Sequence, residues 1–452
     1  MLLNDLKALI GDEKRVTANE TIREQHSKGL SYYTPSMPDA VVYPKTREEV
    51  CKVAEYANEK RIPIVPYGAG SSLEGQMIPI FGGISLDFSL MNRILSIEPE
   101  NFLAVVEPGV TRSQLNRELK KHGLFFPVDP GADATIGGMA ATNASGTNAV
   151  RYGVMRDCVL GLEVVQANGK VLRTGGKALK SSAGYGLNGL FVGSEGTLGI
   201  FTEITIRLAG IPETDIAAKA VFTSIEAAGQ TAADLLKSGL PLGKVELVDE
   251  ETIAAINEYK HANYPVAPTL FLEFSGSREA VQESAAIAKA IIEGEHCLSF
   301  QIESDSVEKA KLWEARHHAA FAILARYQDK GLMSADVCVP ISHLADALVE
   351  TRRIVDQHGM EAAIFGHVGD GNYHAALPVD PSDPEDVERV ENVNKQIIQY
   401  ALSKGGTCTG EHGIGLGKKQ YLQQEHESAL PMMKAIKKLF DPNQILNPGK
   451  IF

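Results

Sequence analysis

No two of the chain's five cysteines stand in a C-x-x-C spacing; they fall at 51, 158, 297, 338 and 408. Scattered cysteines of this kind argue against a disulfide framework, a zinc ribbon or an iron–sulfur centre. Each is most simply a small core residue. No run of about 18 apolar residues exists, so no helix is expected to span a bilayer. Positive charge is not in excess either: 44 basic residues face 57 acidic ones, a net of −13. That disfavours nucleic acid and anionic membranes as partners through bulk charge. Internal repeats, low-complexity runs and disordered linkers are absent from the sequence. The opening Met1-Leu2-Leu3-Asn4-Asp5-Leu6-Lys7 lacks a basic stretch followed by an apolar one and reads as an amphipathic helix. A cytoplasmic, soluble protein is expected, with peripheral attachment to a membrane left open.

What the chain has is length and glycine. At 452 residues it exceeds one ordinary domain. From Ala40 to about Ala209, short apolar runs alternate with glycine-rich turns. Ala40–Pro44 and Ile62–Pro66 read as strands, and Thr46 with Glu49 opens a helix between them as a capping box, giving a βαβ unit. Leu103–Val106 reads as a strand, Thr111 caps a helix to about His122, and Leu160–Val165 runs as a strand into a hairpin turn at 167–170. From Pro212 to about Gly405 the texture becomes α+β, with helices expected over 225–238, 278–293, 307–327, 343–358 and 385–404 between strands such as Thr269–Phe274. From about 410 the chain turns glycine-rich again.

Three glycine loops stand out. The first, Gly68-Ala69-Gly70-Ser71-Ser72-Leu73-Glu74-Gly75, lacks the G-x-G-x-x-G spacing of a dinucleotide fold, and Met77–Gly83 after it cannot be the helix that fold requires. If it binds phosphate, backbone amides must do so as a nest, helped by the Ser71 and Ser72 hydroxyls. The second, Pro127 to Asn148, has almost no large side chain and reads as main chain lying flat along an extended ligand. The third is Gly193–Ile200. Three such loops suit a long, polar, ring-bearing cofactor better than a single phosphate.

Histidines carry the remaining signal. His367 and His374 lie in Gly366–His374, and Glu411-His412 follow in Thr409–Gly415. Apolar Ala362–Phe365 and Ala375–Leu377 read as buried strands meeting at a polar turn. Two imidazoles and a carboxylate can converge on one divalent metal and leave positions for substrate, with His412 spare beside them. Zinc, manganese and iron all suit the set. Imidazoles at such strand ends are costly to bury without partners. The competing reading from another class is a metal hydrolase with Glu411 as base and the glycine loops as plain turns.

The 66–76 loop, the Pro130–Tyr152 stretch and the Gly193–Ile200 loop resemble the vanillyl-alcohol-oxidase-type FAD-binding fold. Gly366–His374, Gly410–Gly415 and the terminal Asn447-Pro448-Gly449-Lys450 resemble the C-terminal region of the FAD-linked D-2-hydroxyacid dehydrogenase family, in its branch of D-lactate dehydrogenases and glycolate oxidase D subunits. The likeness runs from about residue 30 to 452. It implies an α+β protein: a two-subdomain FAD-binding domain over 1–211, a substrate or cap domain with an antiparallel sheet over 212–409, and a segment, 410–452, returning to the FAD site.

The resemblance further implies noncovalent FAD held by Pro66, Tyr67, Gly68, Ala69, Gly70, Ser71, Ser72, Gly75 and Gln76 of the first loop. In the second stretch it implies Pro130, Gly131, Ala134, Thr135, Gly137, Gly138, Ala141, Thr142, Ala144, Ser145, Asn148 and Tyr152. Glu195, Gly196, Gly199, Ile200 and Asn447 complete that set. It makes His367, His374 and Glu411 the metal ligands, His412 the base and Arg316 of Trp313-Glu314-Ala315-Arg316 the grip on the substrate carboxylate; the bare sequence reads Arg316 as a solvated helix charge. His317 and His318 are read as structural. The implied reaction oxidises a short D-2-hydroxyacid, D-lactate to pyruvate, with glycolate next and 2-hydroxyglutarate last. With no cysteine cluster, electrons must leave to an outside acceptor: a quinone, a cytochrome, an electron-transfer flavoprotein or a partner subunit. A homodimer or a complex subunit is expected.

Overall fold

The first elements form where apolar runs meet turn residues. The Thr46 hydroxyl accepts from the Glu49 amide at 3.3 Å and starts the helix Arg47–Lys60. That helix buries Val50, Val53, Ala54 and Ala57 on one side, the spacing of a single apolar stripe. The strands before and after it, Ala40–Val42 and Ile64–Tyr67, do not pair with each other. Ile84–Asp87 lies between them, parallel to both, and Val16–Thr17 closes the other edge antiparallel. The expected βαβ unit is therefore real in its elements, with a third strand inserted.

The computed structural model describes residues 1–30, 32–294, 296–327 and 330–452. It divides into two compact units, the first formed by 1–145, 153–211 and 411–452, the second by 146–152 and 212–410. Residues 146–152, read from the sequence as part of a 1–211 domain, cluster with the second unit.

Besides the four-stranded sheet, the first unit holds a five-stranded antiparallel sheet in the order Ile94–Glu98, Leu103–Val106, Ile200–Arg207, Val159–Val165, Val171–Gly175. Each sheet has its own core. One gathers Ile64, Ile84, Leu86 and Val50; the other gathers Phe126, Ile136, Met139, Phe191 and Ile204. Fully burying each such side chain is worth about 1.5–3 kcal/mol. The C-terminus completes the first sheet's core with Ile445 and Leu446, and the Asn447 amide donates to the Ile64 carbonyl at 2.8 Å.

The second unit is built on a seven-stranded antiparallel sheet. Its order is Cys297–Glu303, Thr214–Phe222, Thr269–Gly276, Leu242–Val248, Ala363–Gly366, Asn372–Val379, Gly331–Cys338. Helices Ile225–Lys237, Arg278–Ile292, Leu344–Gln357 and Pro384–Ser403 form where the alanine-rich stretches predict them.

Two readings change, over 307–327 and 127–148, and three helices are added. The 307–327 stretch is two helices, Ser306–His317 and Ala319–Arg326, because His318 ends the first and its ring takes the Glu314 carbonyl at 2.7 Å. Glu250–Lys260 is a helix capped by Asp249, whose carboxylate accepts from the Thr252 amide at 2.8 Å. The glycine-rich tail contains Lys419–Glu425 and Leu430–Phe440. The small-residue stretch 127–148 is not flat throughout: Ile136–Thr142 is helical, capped by Thr135. Its glycines serve close packing there, since a Cβ on Gly137 would lie 2.5 Å from the Pro108 side chain.

Candidate functional site

In the first unit the three glycine loops converge. A Cβ on Gly68 would sit 2.5 Å from the Thr135 hydroxyl, which joins the first loop to the second. A Cβ on Gly196 would press on the Pro66 ring at 3.1 Å, which joins the third to the first. The Gly193 and Glu195 amides donate to the Ala140 and Ala141 carbonyls at 3.0 and 2.8 Å. Among the described residues, the amides of Ala69, Gly70, Ser71 and Ser72 donate to no other group of the chain. A run of such amides is a ready phosphate nest, so the residues present fit the pyrophosphate of a dinucleotide cofactor. Pro66, Tyr67, Gly75, Thr142, Ala144 and Ser145 belong to the same three segments.

For some of the other predicted contacts the fold supplies a packing reason of its own. Gly199 is small because a Cβ would lie 2.2 Å from Val164, and the Ile200 side chain is in the core. Gly131 has open space around it, and Asn148 and Tyr152 belong to the second unit. Pro130, Ala134, Gly138 and Ala141 stand on the second loop or its helix.

Three more of the predicted cofactor residues, Gln76, Glu195 and Asn447, turn their side chains to protein. Gln76 Nε2 donates to the His412 carbonyl at 2.7 Å. The two Glu195 carboxylate oxygens accept from the Ile414 and Gly415 amides at 2.6 and 2.9 Å. Asn447 Nδ2 donates to the carbonyls of Gln76 at 2.9 Å and Glu195 at 2.8 Å. Glu195 and Asn447 hold φ of +52° and +39°, an uncommon conformation for residues with a side chain, held here by these bonds. Burial pushes the Glu195 carboxyl up to about 7 against the pull of the two amides. Burial also pushes the Lys450 amine down to about 8; its Nζ donates to the Ile78 carbonyl at 2.6 Å.

In the second unit the charged groups stand on the sheet. His374 lies opposite Asp336 on the neighbouring strand, and Leu247 opposite Gly366, which brings Glu246 beside His367. Strand alternation separates His374 from Tyr373, whose hydroxyl bonds Thr351 of the helix Leu344–Gln357 at 2.9 Å. His367 Nδ1 meets the Glu246 carboxylate at 2.8 Å, and His374 Nδ1 lies 3.4 Å from Asp336. Each Nδ1 thus faces a buried carboxylate, the usual second-partner arrangement of a metal-binding imidazole. The His367 and His374 rings are perpendicular with centroids 5.5 Å apart, and their ligand atoms lie within 4.8 Å. Asp336 is further committed to Asn372 Nδ2 at 2.8 Å and the Thr409 hydroxyl at 2.7 Å, so it orients. Gly410 packs against this group, a Cβ there falling 1.9 Å from Asn372 Nδ2. Glu411 is the next residue, its Cα about 3.8 Å along the chain.

Arg316 is buried, which corrects the solvated-charge reading of the bare sequence. Its guanidinium meets Glu246 at 2.6 Å and lies over the Phe365 ring. Its Nε and the Trp313 indole N–H are buried with no hydrogen-bond partner among the described residues. Buried donors of that kind call for an acceptor from outside the chain. Burial alone would raise the Glu246 carboxyl, but the His367 and Arg316 charges hold it below the usual range. His317 is pushed down to about 4 by burial and by Lys244 and Arg316, so it is neutral, in keeping with a structural role.

Sequence reading missed Glu246 and Asp336. Both are fully buried, and each sits as a lone acid in an apolar strand, Leu242–Val248 and Gly331–Cys338. That interruption was the available signal, because an unpaired acid is almost never buried. Among the described residues, no helix is long and apolar enough to cross a membrane.

Residues 38–175 match the family model described as FAD binding domain, and residues 211–451 match that of FAD linked oxidases, C-terminal domain. The chain is 43% identical to the probable mitochondrial D-lactate dehydrogenase of Danio rerio, over all of this chain and 91% of that protein. It is 41% identical to the mitochondrial D-lactate dehydrogenase (cytochrome) of Arabidopsis thaliana, over all of this chain and 80% of that one. Identity to glycolate oxidase subunit GlcD of Bacillus subtilis is 40%, over 92% and 89%. Among solved structures, p-cresol methylhydroxylase with substrate bound superposes with a TM-score of 0.83 at 20% identity, over 99% of this chain and 96% of that one. That likeness shows the fold, the vanillyl-alcohol-oxidase type. With an FAD-binding domain followed by the matching C-terminal domain, the chain belongs to the family of FAD-linked oxidases.

Proposed function

We propose that this protein is an FAD-dependent dehydrogenase of short D-2-hydroxyacids that oxidises D-lactate to pyruvate and passes the electrons to an external acceptor. The observation that carries the reading is the second unit's polar group: two imidazoles backed by buried carboxylates beside a buried arginine whose Nε has no hydrogen-bond partner among the described residues. A 2-hydroxyacid matches it, offering a carboxylate to the arginine and an adjacent hydroxyl. Relatives named D-lactate dehydrogenase support the substrate class, and the Bacillus relative named glycolate oxidase subunit keeps glycolate as the second reading. 2-Hydroxyglutarate ranks last, because a second buried carboxylate without a partner costs several kcal/mol.

His367, His374 and Glu411 would hold one divalent metal, zinc, manganese or iron. When bound, the metal supplies Lewis-acid polarisation of the hydroxyl and FAD supplies hydride acceptance. Arg316 holds the substrate carboxylate and thereby fixes the Cα–H direction. His412 takes the hydroxyl proton, a step typically worth about 10²–10⁴-fold. FAD is held without a covalent bond: His122 is exposed and Cys158 is buried in the core, and neither belongs to the three loops. The acceptor is a quinone, a cytochrome, an electron-transfer flavoprotein or a partner subunit; one relative's name includes cytochrome. The assembly is a homodimer or part of a complex. The location that goes with this reading is cytoplasmic, unlike that of the two relatives whose names place them in mitochondria.

The test is flavin bleaching under anaerobic stopped flow with D-lactate, L-lactate, glycolate and D-2-hydroxyglutarate. D-Lactate is expected to give the highest kcat/KM, and glycolate to trail by about 10–200-fold, the worth of one methyl group. Arg316→Ala should raise KM sharply, and Arg316→Lys should rescue poorly because the planar fork is lost. A yellow protein that no hydroxyacid bleaches would overturn the reading.

A further inference from the structure

The side chains of Gln76 and Glu195 come from the first and third glycine loops, yet Gln76 Nε2 and both Glu195 oxygens bond the segment that carries His412, while Gln76 Oε1 accepts from the Glu74 amide at 3.2 Å. The His412 carbonyl is held by Gln76 Nε2 at 2.7 Å, and the two following turn amides, Ile414 and Gly415, are held by the Glu195 carboxylate at 2.6 and 2.9 Å. The His412 residue is thus bracketed on its C-terminal side by three bonds from two side chains. Asn447 ties those two residues together through their own carbonyls. Nothing larger than glycine fits between: a Cβ on Gly413 would lie 2.6 Å from Glu195 Oε1 and 2.9 Å from Gln76 Nε2. A carboxylate buried to accept two amides is an expensive way to hold a loop, so its place here at the turn after His412 calls for a reason.

We propose that Gln76 and Glu195 are positioning residues for His412, a clamp that registers the proton-accepting imidazole against the flavin loops, and that their side chains do not bind FAD. The proposal rests on His412 as the base. The side-chain bonds of the two residues lie within the first unit, and the predicted cofactor role passes to the backbone of their loops. Displacing a reacting group by about 1 Å can cost on the order of 100-fold in rate. Loosening the clamp should therefore slow the chemical step and leave binding alone.

The experiment compares Glu195→Gln, Gln76→Glu, the double variant and His412→Asn in the flavin-loaded enzyme. Glu195→Gln keeps one acceptor oxygen and removes the other; Gln76→Glu removes the donor at constant shape. Each is expected to retain wild-type flavin content and to bind D-lactate within about twofold. The limiting rate of flavin reduction should fall by about 10–100-fold. The double variant should lose less than the product of the two, because both act on one turn. Amide exchange at Ile414 and Gly415 should quicken in Glu195→Gln. Loss of flavin from either single variant would make these residues cofactor ligands and overturn the clamp. A normal reduction rate in both, with His412→Asn inactive, would overturn the clamp and leave the base in place. A normal rate in His412→Asn would remove the base, and the clamp with it. Should Glu195→Gln fail to fold, Gln76→Glu decides alone.

Discussion

The two units present ligand-binding groups in opposite ways. In the first, the 66–76 loop offers the run of backbone amides at 69–72, packed against the 130–145 and 193–200 loops, and the Gln76 and Glu195 side chains are turned to protein. In the second, the groups proposed to bind are long side chains, His367 and His374 from the antiparallel sheet and Arg316 from the helix Ser306–His317, each with a buried carboxylate beside it. A backbone site is sensitive to anything that adds volume to a glycine, and tolerant of lost side chains. A side-chain site is the reverse. Under the proposed function the difference suits two tasks, holding a large cofactor along its length and gripping a small acid at a few atoms.

The largest expected effect breaks the second unit alone. His374→Ala should abolish turnover and metal retention while flavin content stays at the wild-type level, and a chelator should reproduce it, with added divalent metal restoring the chelated enzyme. Full activity after chelation, with no metal found by elemental analysis, would sink the metal role. Glu246→Gln sharpens the same side. Removing the carboxylate behind a ligating imidazole typically costs about 10–100-fold in metal affinity, and that is the loss expected in a metal titration. An unchanged titration would mean that Glu246 serves Arg316 only.

A smaller effect, on the first unit, should come from Gly68→Ala. The new Cβ would press on the Thr135 hydroxyl, which caps the Gly138 amide at 3.3 Å. Losing that cap costs about 1 kcal/mol, and the loop must shift as well. Flavin should bind more weakly with the second unit's metal unaffected, read by flavin release on dilution. The smallest effect concerns pH. Glu195 titrates near 7 when folded, above the ordinary carboxyl value of 4.5, because burial outweighs its two amide bonds; Glu74 pushes the same way and Lys450 opposes it. Between about pH 4.5 and 7 the folded chain binds a proton that the unfolded chain has lost, so this group's contribution to stability falls as pH rises through that window. Glu195→Gln removes the titration. Its Tm relative to wild type should therefore rise from pH 5 to pH 8, and a difference independent of pH would contradict the buried, titrating carboxyl.

Much of this molecule could be read from local rules. Thr46 and Thr111 cap the helices that their spacing predicts, and the Ala362–Phe365 and Ala375–Leu377 runs became paired strands around the His367 turn. The reading failed where a residue's reason was a distant neighbour. Gly137 and Gly199, read as ligand contacts, also have to be small because Pro108 and Val164 lie against them. Ile136–Thr142 looked like an extended ligand bed, because glycine and alanine carry no pattern that separates helix from loop. Arg316 looked solvated among the charges of its helix, and it is buried on Glu246, 70 residues back along the chain.

By itself, then, the sequence determined the residue types at the site and the elements that bear them, because helix caps, strand alternation and the spacing of His367 and His374 act over a few residues. Tertiary structure alone decided the partners. Glu246 with His367 and Arg316, Asp336 with His374, and Glu195 with the turn after His412 are pairings between segments far apart in the chain. The physical reason is desolvation: a carboxylate leaves water only when folding brings it the donors that replace water, and no local pattern records which donors those will be.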